Sequence, residues 1–384
     1  MHAFEVNIAP NFKTPSFIME NPKFSRVADN DFSKTLRRRV NQYFKTNNLS
    51  KKANTTMVLK TILMLSLFFM PLILLSTGMV TTTWMLFTLY IICGLGMSGI
   101  GMGVMHDAIH GAYSNNRTIN RLLGYTFNLI GANATIWKIQ HNVLHHTYTN
   151  IDDADDDINT PFFLRFSPNG KHHKSQRFQH IYIWFFYGIS TIFWITAKDF
   201  VRLKRYKNMG LLDENQVYSR ELVKMTAWKL FYYSYALILP MIMVPLSWWV
   251  ILLGFLSMHI VTGFLVSVVF QIAHIMPTTD FPLPNEDGVM TNEWYRHQFA
   301  TSSNFAPKSK LLFWLIGGLN YQVEHHVLPD ICHVHYKKLS PIVAQTAKEF
   351  GMSYHVKKSV FHAIVDHTKM LRSLGRNEII SKAA

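Results

Sequence analysis

The feature that most constrains this chain is a set of long stretches without a single charged side chain. Thr61 to Val80 gives twenty such residues and Trp84 to Met105 another twenty-two, separated only by "TTT" at 81–83. A helix rises about 1.5 Å per residue, so roughly twenty residues cross a hydrocarbon core of about 30 Å. Leu230 to Ala273 is a third block of forty-four residues, broken near its middle by "VPLSWW" at 244–249, a proline beside an interfacial tryptophan pair. The expected fold is an all-α integral membrane protein with four transmembrane helices in two hairpins, at about 61–80, 84–105, 230–248 and 250–273.

Charge placement orients these spans. The short connections carry no Lys or Arg, whereas residues 1–56 hold ten basic residues against four acidic ones, "RRR" at 37–39 among them. By the positive-inside rule this basic N-terminal segment, the long middle segment and the C-terminal tail (346–384) face the cytoplasm. Nothing in residues 1–56 resembles the apolar core of a signal peptide. The formal charge of +15 comes from clusters flanking apolar runs, such as "KDFVRLKRYK" at 198–207. That placement fits anionic lipid headgroups and argues against nucleic acid. Cys93 and Cys332 form no CxxC and no disulfide framework.

The nineteen histidines are not scattered. "HDAIH" (His106, His110) follows the second span, "HNVLHH" (His141, His145, His146) comes about thirty residues later, and "QVEHH" (Gln322, His325, His326) lies beyond the last span. On an α-helix, residues four apart share a face, so each cluster can aim two or three imidazoles at one point, with His141 and His145 together and His146 at the adjacent edge. An isolated pair such as His172 and His173 reads as surface polarity; three spaced clusters do not. Two crossings separate the second cluster from the third, so all three meet on one membrane face only if Ile181 to Ala197, seventeen apolar residues, lies in the interface rather than crossing.

This many neutral nitrogen donors exceeds what one ion takes, and "HNVLHH" is not the HExxH of a zinc hydrolase. Imidazole suits iron, zinc and copper, so ligand type alone leaves the metal open. A histidine-rich dimetal site in a cytosolic helical cap at the mouth of an apolar bundle suits oxygen chemistry on a greasy substrate. A histidine-rich metal transporter would instead place its ligands within the spans.

"HDAIH", "HNVLHH" and "QVEHH" resemble the three histidine boxes of the membrane fatty acid desaturases, and the glutamine-bearing third box resembles the front-end branch. "HHTYTNIDDADDD", "FQIAHIMP", "GGLNYQVEHHVLP" and "HVHY" resemble bacterial acyl-lipid or linoleoyl-CoA desaturases, over roughly residues 55–345. The resemblance implies a non-heme diiron enzyme that uses O2 and two electrons to place a cis double bond in an acyl chain carried on CoA or a lipid. It implies His106, His110, His141, His145, His146, His325 and His326 as iron ligands, with His274 of "QIAH" as an eighth. Asp156 and Asp157 match the aspartates following the second box and are expected to steady it; Asp107, Asp153, Glu324, His297 and His335 are weaker candidates. Gln322 is expected to coordinate weakly or hold a water through its amide oxygen. Residues 1–56 contain no HPGG heme motif, so electrons are expected from a separate ferredoxin or cytochrome b5. A bacterial inner membrane is the expected location. The alternative on the same scaffold is a fatty acyl hydroxylase.

Overall fold

The computed structural model describes residues 22–24, 30–212 and 215–378, so residues 1–21 and 25–29 of the basic N-terminal segment and residues 379–384 of the C-terminal tail lie outside the described residues. The order is α1 (Asn30–Thr46), α2 (Thr55–Leu75), α3 (Thr83–Ile109), α4 (134–148), α5 (Lys174–Asn208), α6 (215–243), α7 (Trp248–His274), α8 (Trp294–Thr301), α9 (Gln322–Val327), α10 (Tyr336–Glu349) and α11 (Val360–Arg376). Two short parallel strand pairs qualify the all-α expectation: β1 (Lys23–Phe24) with β2 (Val289–Met290), and β3 (Ser303–Phe305) with β4 (His355–Lys357).

Helices α2 and α3, joined by a short turn, pack on one another, and α3 packs in turn on α7. Small residues set these approaches: a Cβ at Gly96 would lie 2.5 Å from the Phe68 amide nitrogen of α2, and one at Gly94 would lie 2.7 Å from the Met258 carbonyl of α7. The glycine-rich face of α3 is therefore a packing surface. Gly101 is the exception, with no heavy atom within 4 Å of the Cβ position.

Among the described residues, four helices are long and apolar enough to cross a membrane: α2, α3, α5 and α7. This differs from the sequence expectation, which assigned a span to 230–248 and an interfacial helix to 181–197. The cause is composition: α6 carries Lys224, Lys229 and Tyr218, Tyr232, Tyr233 and Tyr235, which dilute its apolar end, while the aromatic run of α5 is uninterrupted. Contacts distinguish the two helices. The Met243 carbonyl at the end of α6 lies 3.3 Å from a Cβ placed at Gly78, in the turn joining α2 to α3. Helix α5 is fastened twice at the opposite end. The Tyr187 hydroxyl meets His367 at 2.8 Å, His367 meets the Ile275 carbonyl at 2.8 Å, and the Tyr206 hydroxyl donates to Asp156 at 2.7 Å.

The buried apolar side chains fall into distinct clusters. One joins α2, α3, α6 and α7; a second joins α5, α7 and α11; a third joins α1, α8, α9 and α10. The 346–384 segment, for which the sequence offered no structure, supplies β4 and α11, whose Ala363, Met370, Leu371 and Leu374 belong to the second cluster.

Candidate metal centre

All eight expected ligand histidines converge. His106, His110, His141 and His325 bring one ring nitrogen each to within 4.8 Å of one another, as do His145, His274 and His326, and as do His146, His325 and His326. They come from the ends of α3 and α7, from α4 and from α9, and all but half-buried His110 are buried.

Helix α4 reaches this geometry by an unexpected winding. Residues Ile139–His145 form a π-helix, in which each turn takes one residue more than an α-turn. His141 Nε2 accordingly lies 3.2 Å from His146 Nε2, while His145 turns toward His274 and His326. The i, i+4 pairing expected of His141 and His145 becomes i, i+5, and a single helix feeds both clusters. A second π-turn, Ile100–Val104, precedes the first box.

In the cluster of His145, His274 and His326 each ring is held from behind. His145 Nδ1 is 3.1 Å from both Asp155 oxygens, His274 Nδ1 is 3.1 Å from the Thr301 carbonyl, and His326 Nδ1 is 2.7 Å from Gln298 Oε1. An imidazole that donates from Nδ1 offers its lone pair at Nε2, and Nε2 of all three is buried without a partner. The other cluster has a different build. Nε2 of His146 is 2.9 Å from that of His325, and His106 Nε2 is 3.2 Å from His141 Nε2, but Nδ1 of His106, His146 and His325 has no partner.

Burial, and then the neighbouring imidazoles, hold His141, His146, His325 and His326 well below the ordinary histidine pKa. Burial pulls His145 the same way, but the Asp155 carboxylate outweighs it and the pKa is raised. Neutral rings with orphaned, convergent nitrogens are the form in which histidine binds a transition metal. The residues present therefore fit a dimetal centre.

The aspartates fall differently from the sequence expectation. Asp155, not Asp156, braces a histidine. Asp156 is turned away and held by Arg202 at 2.7 Å, Arg205 at 3.1 Å and Tyr206. Asp157 lies 3.8 Å from His145 Nδ1 and takes a hydrogen bond from Gln140, so it stands beside the centre. The reason is turn chemistry: Asn150 and Asp153 both have positive φ, and Asp155 accepts from the Asn150 and Asp157 amides, which fixes its carboxylate under His145.

Asp107 faces away from the ligand nitrogens, with Oδ2 taking His333 Nδ1–H at 2.8 Å and Cys332 Sγ–H at 3.0 Å; Oδ1 is 3.9 Å from His106 Nδ1. Buried Lys60 completes this group, its Nζ 3.2 Å from His333 Nε2. The Asp153 carbonyl accepts from Arg205, and Glu324 binds Asn304 and Tyr354. His297 meets the Thr149 carbonyl, His335 the Lys52 carbonyl and His259 the Tyr232 hydroxyl, and none of the three joins the convergent ligand groups. Gln322 interacts with the His274 ring, and its Oε1 is buried without a partner. Sequence reasoning missed Asp155, Gln298, Thr301 and His333; the acidic run at 152–157 and the "HVHY" motif at 333–336 signalled the first and the last of them.

Comparison with known proteins agrees with this geometry. The family model described as fatty acid desaturase matches residues 82–358, well over half of the chain. The chain is 34% identical over 348 residues to the sn-1 linoleoyl-lipid 6-desaturase of Arthrospira platensis, covering 90% of this chain and 93% of that one. It is 33% identical to the enzyme of the same name from Synechocystis, covering 90% and 96%, and 29% identical to the acyl-lipid (8-3)-desaturase of Physcomitrium patens, covering 97% and 77%. With its histidine clusters, apolar helices and family match in agreement, the chain belongs to the fatty acid desaturase family and is an oxidoreductase.

Proposed function

We propose that this chain is a diiron front-end desaturase acting on an already unsaturated acyl chain borne by a membrane lipid. The observation that carries the reading is the convergence of eight histidines, several with orphaned nitrogens, at the ends of two apolar helices. The relatives named as linoleoyl-lipid and acyl-lipid desaturases support the substrate class.

A bound pair of irons with O2 and two electrons would supply the oxidant that removes two hydrogens from neighbouring methylenes. His106, His110, His141, His146 and His325 would hold one ion, His145, His274 and His326 the other, with His326 near both. Gln322 Oε1 would be a weak donor or a water acceptor beside His274. Asp155, Gln298 and the Thr301 carbonyl fix ring orientation, and Phe270, its centroid 4.8 Å from His145 and 5.2 Å from His274, lends an apolar wall that keeps water away. The open space at Gly101, five residues before His106, offers room for a methylene chain.

The contacts of α6 with the α2–α3 turn support α6 as the third crossing, with α5 inserted only partway from the histidine face. On this reading the spans form two hairpins, the metal centre, the basic N-terminal segment and the C-terminal region face the cytosol, and the membrane is a bacterial inner membrane. Electrons arrive from a separate acidic donor, a ferredoxin or cytochrome b5, drawn to the basic surface by complementary charge.

The test is expression in a host supplied with linoleate, with the new double bond located by mass spectrometry. A bond on the carboxyl side of the existing ones is expected. A hydroxylated product, or a bond only on the methyl side, overturns the front-end reading.

A further inference from the structure

Near the start of α2, Lys60 is a cation that the dimetal reading leaves unused. It is 1% exposed, on a helix apolar enough to cross a membrane, which is a costly place for an ammonium. The fold makes room for it: a Cβ at Gly103, just before the first histidine box, would lie 3.1 Å from Lys60 Nζ. The Trp314 ring flanks the ammonium at 5.7 Å.

What Lys60 meets is a chain of groups that ends at a candidate ligand. Its Nζ lies 3.2 Å from His333 Nε2, and His333 Nδ1 lies 2.8 Å from Asp107 Oδ2. A carboxylate on one side and an ammonium on the other leave the neutral ring one arrangement, donating from Nδ1 and accepting at Nε2. Asp107 Oδ2 also takes the His333 backbone N–H at 3.2 Å and the Cys332 Sγ–H at 3.0 Å. Asp107, Cys332 and His333 are close enough to hold a cation of their own, but the Lys60 ammonium already supplies the positive charge there.

With Oδ2 occupied, Oδ1 is the atom of Asp107 left facing the metal centre. It stands 3.9 Å from His106 Nδ1, about 1 Å beyond hydrogen-bonding range. Nδ1 of His106, His146 and His325 is buried without a partner, and among the described residues His106 is the one of the three that faces a carboxylate. A ligand imidazole binds through one nitrogen and is oriented by a hydrogen bond from the other. His106 Nε2 is the nitrogen turned to the cluster, 3.2 Å from His141 Nε2.

We propose that Lys60 and His333 are positioning residues for His106. They hold Asp107 by Oδ2, so that Oδ1 accepts the Nδ1–H of His106 when an ion occupies that cluster. The proposal rests on the dimetal reading above and adds an order of filling. The cluster of His145, His274 and His326, braced beforehand, fills first; the His106 cluster fills second, with Asp107 as its brace.

The test titrates the full chain, purified metal-free in detergent, with cobalt(II), whose visible absorption reports the coordination of each ion. The wild type is expected to bind two ions in sequence. His333→Leu and Lys60→Met weaken the second about ten-fold and leave the first, with its spectrum, unchanged. His333→Gln, whose amide can donate to Asp107 and accept from Lys60, keeps the second ion within about three-fold of wild type. Lys60→Met alone buries Asp107 without its counter-charge and threatens the fold, so a double variant, Lys60→Met with Asp107→Asn, removes both charges. There the amide turns its oxygen to His333 and its NH2 to His106, which then has no acceptor, and the second ion is again weakened about ten-fold. Equal weakening of both ions, no weakening in the double variant, or a His333→Gln variant as weak as His333→Leu overturns the proposal, since each is what a purely structural group gives. A wild type that binds fewer than two ions sinks the dimetal reading and this proposal with it. Two ions bound normally by the variants sink this proposal alone.

Discussion

The two halves of the metal centre are built by opposite means. In the His145, His274 and His326 half, an acceptor behind each ring sets its tautomer, so the lone pairs are aimed before any metal arrives. In the His106, His110, His141, His146 and His325 half, nitrogens crowd to 2.9–3.4 Å and three Nδ1 atoms lack partners. Rings that close to one another gain little from mutual hydrogen bonds, since a neutral imidazole has one N–H to give. The first half is preorganised by protein; the second has no such bracing, and its order would come from a bound metal.

The sharpest break in that comparison is removal of a ligand. His326→Ala, which takes a ring from between the halves, is expected to abolish desaturation and lower bound iron to about half or less. Retained activity with full iron, measured by metal analysis and product chromatography, would overturn the ligand assignment.

Next in size is the brace behind the preorganised half. Asp155→Asn keeps the shape of the side chain but not the charge that holds His145, and metal affinity is expected to fall about 10- to 100-fold. Asp156→Asn is the control that separates position from composition. It leaves Arg202 and Arg205 without their shared carboxylate, costing about 1–3 kcal/mol of stability, with metal affinity unchanged. Titration with a chromophoric chelator and a denaturation midpoint read the two effects; a larger metal defect in Asp156→Asn would reverse the roles.

This pair of residues marks where the sequence stopped being legible. Histidine boxes can be read because helical spacing puts them on a face, and apolar runs can be read because a bilayer demands length. An acidic run through an irregular turn obeys neither rule: in "DDADDD" a positive φ at Asp153 decides which carboxylate points at His145. The π-turn of α4 is likewise invisible to α-helical counting, and it is why His141 pairs with His146. The braces Gln298 and Thr301 come from α8, 28 and 27 residues from His326 and His274, the rings they hold; no helical spacing links them, and only tertiary packing brings them in. Helix α6 was hard to read for a different reason: Tyr232 and Lys229, which reach His259 and Asp199, dilute the hydropathy of its apolar end.

A smaller effect follows from protonation of the metal-free protein. His141, His146, His325 and His326 have folded pKa values lowered below the ordinary value of about 6.5, so below that pH the unfolded chain binds more protons and stability is lost as pH falls. His145, raised by Asp155, contributes the other way, with stability present below about 6.5 and lost as pH rises through its folded value. With His110, lowered likewise by burial, these rings outnumber His145 and predict a falling thermal midpoint of the apo protein from pH 7 to pH 5. A midpoint that rises over that interval would mean that the second half is protonated and ordered without metal.

The smallest expected change, and the one that bears most closely on the boundary between the halves, is at Gln322. Its buried Oε1 has no partner, and its side chain interacts with the ring of His274, in the half whose rings are otherwise braced from behind. An amide oxygen is a weaker donor than imidazole and cannot be protonated near neutral pH, so it can hold a water or a loose bond without competing for the ion. Gln322→His would put a fourth strong nitrogen into that half and close the position. Iron is expected to bind as well or more tightly, while turnover falls a few-fold, because an open position is what O2 chemistry requires. Gln322→Asn, a shorter amide, should retain more turnover than the histidine variant. Unchanged turnover and double-bond position in Gln322→His would show that this half is already closed by His145, His274 and His326, and that the glutamine only fills space.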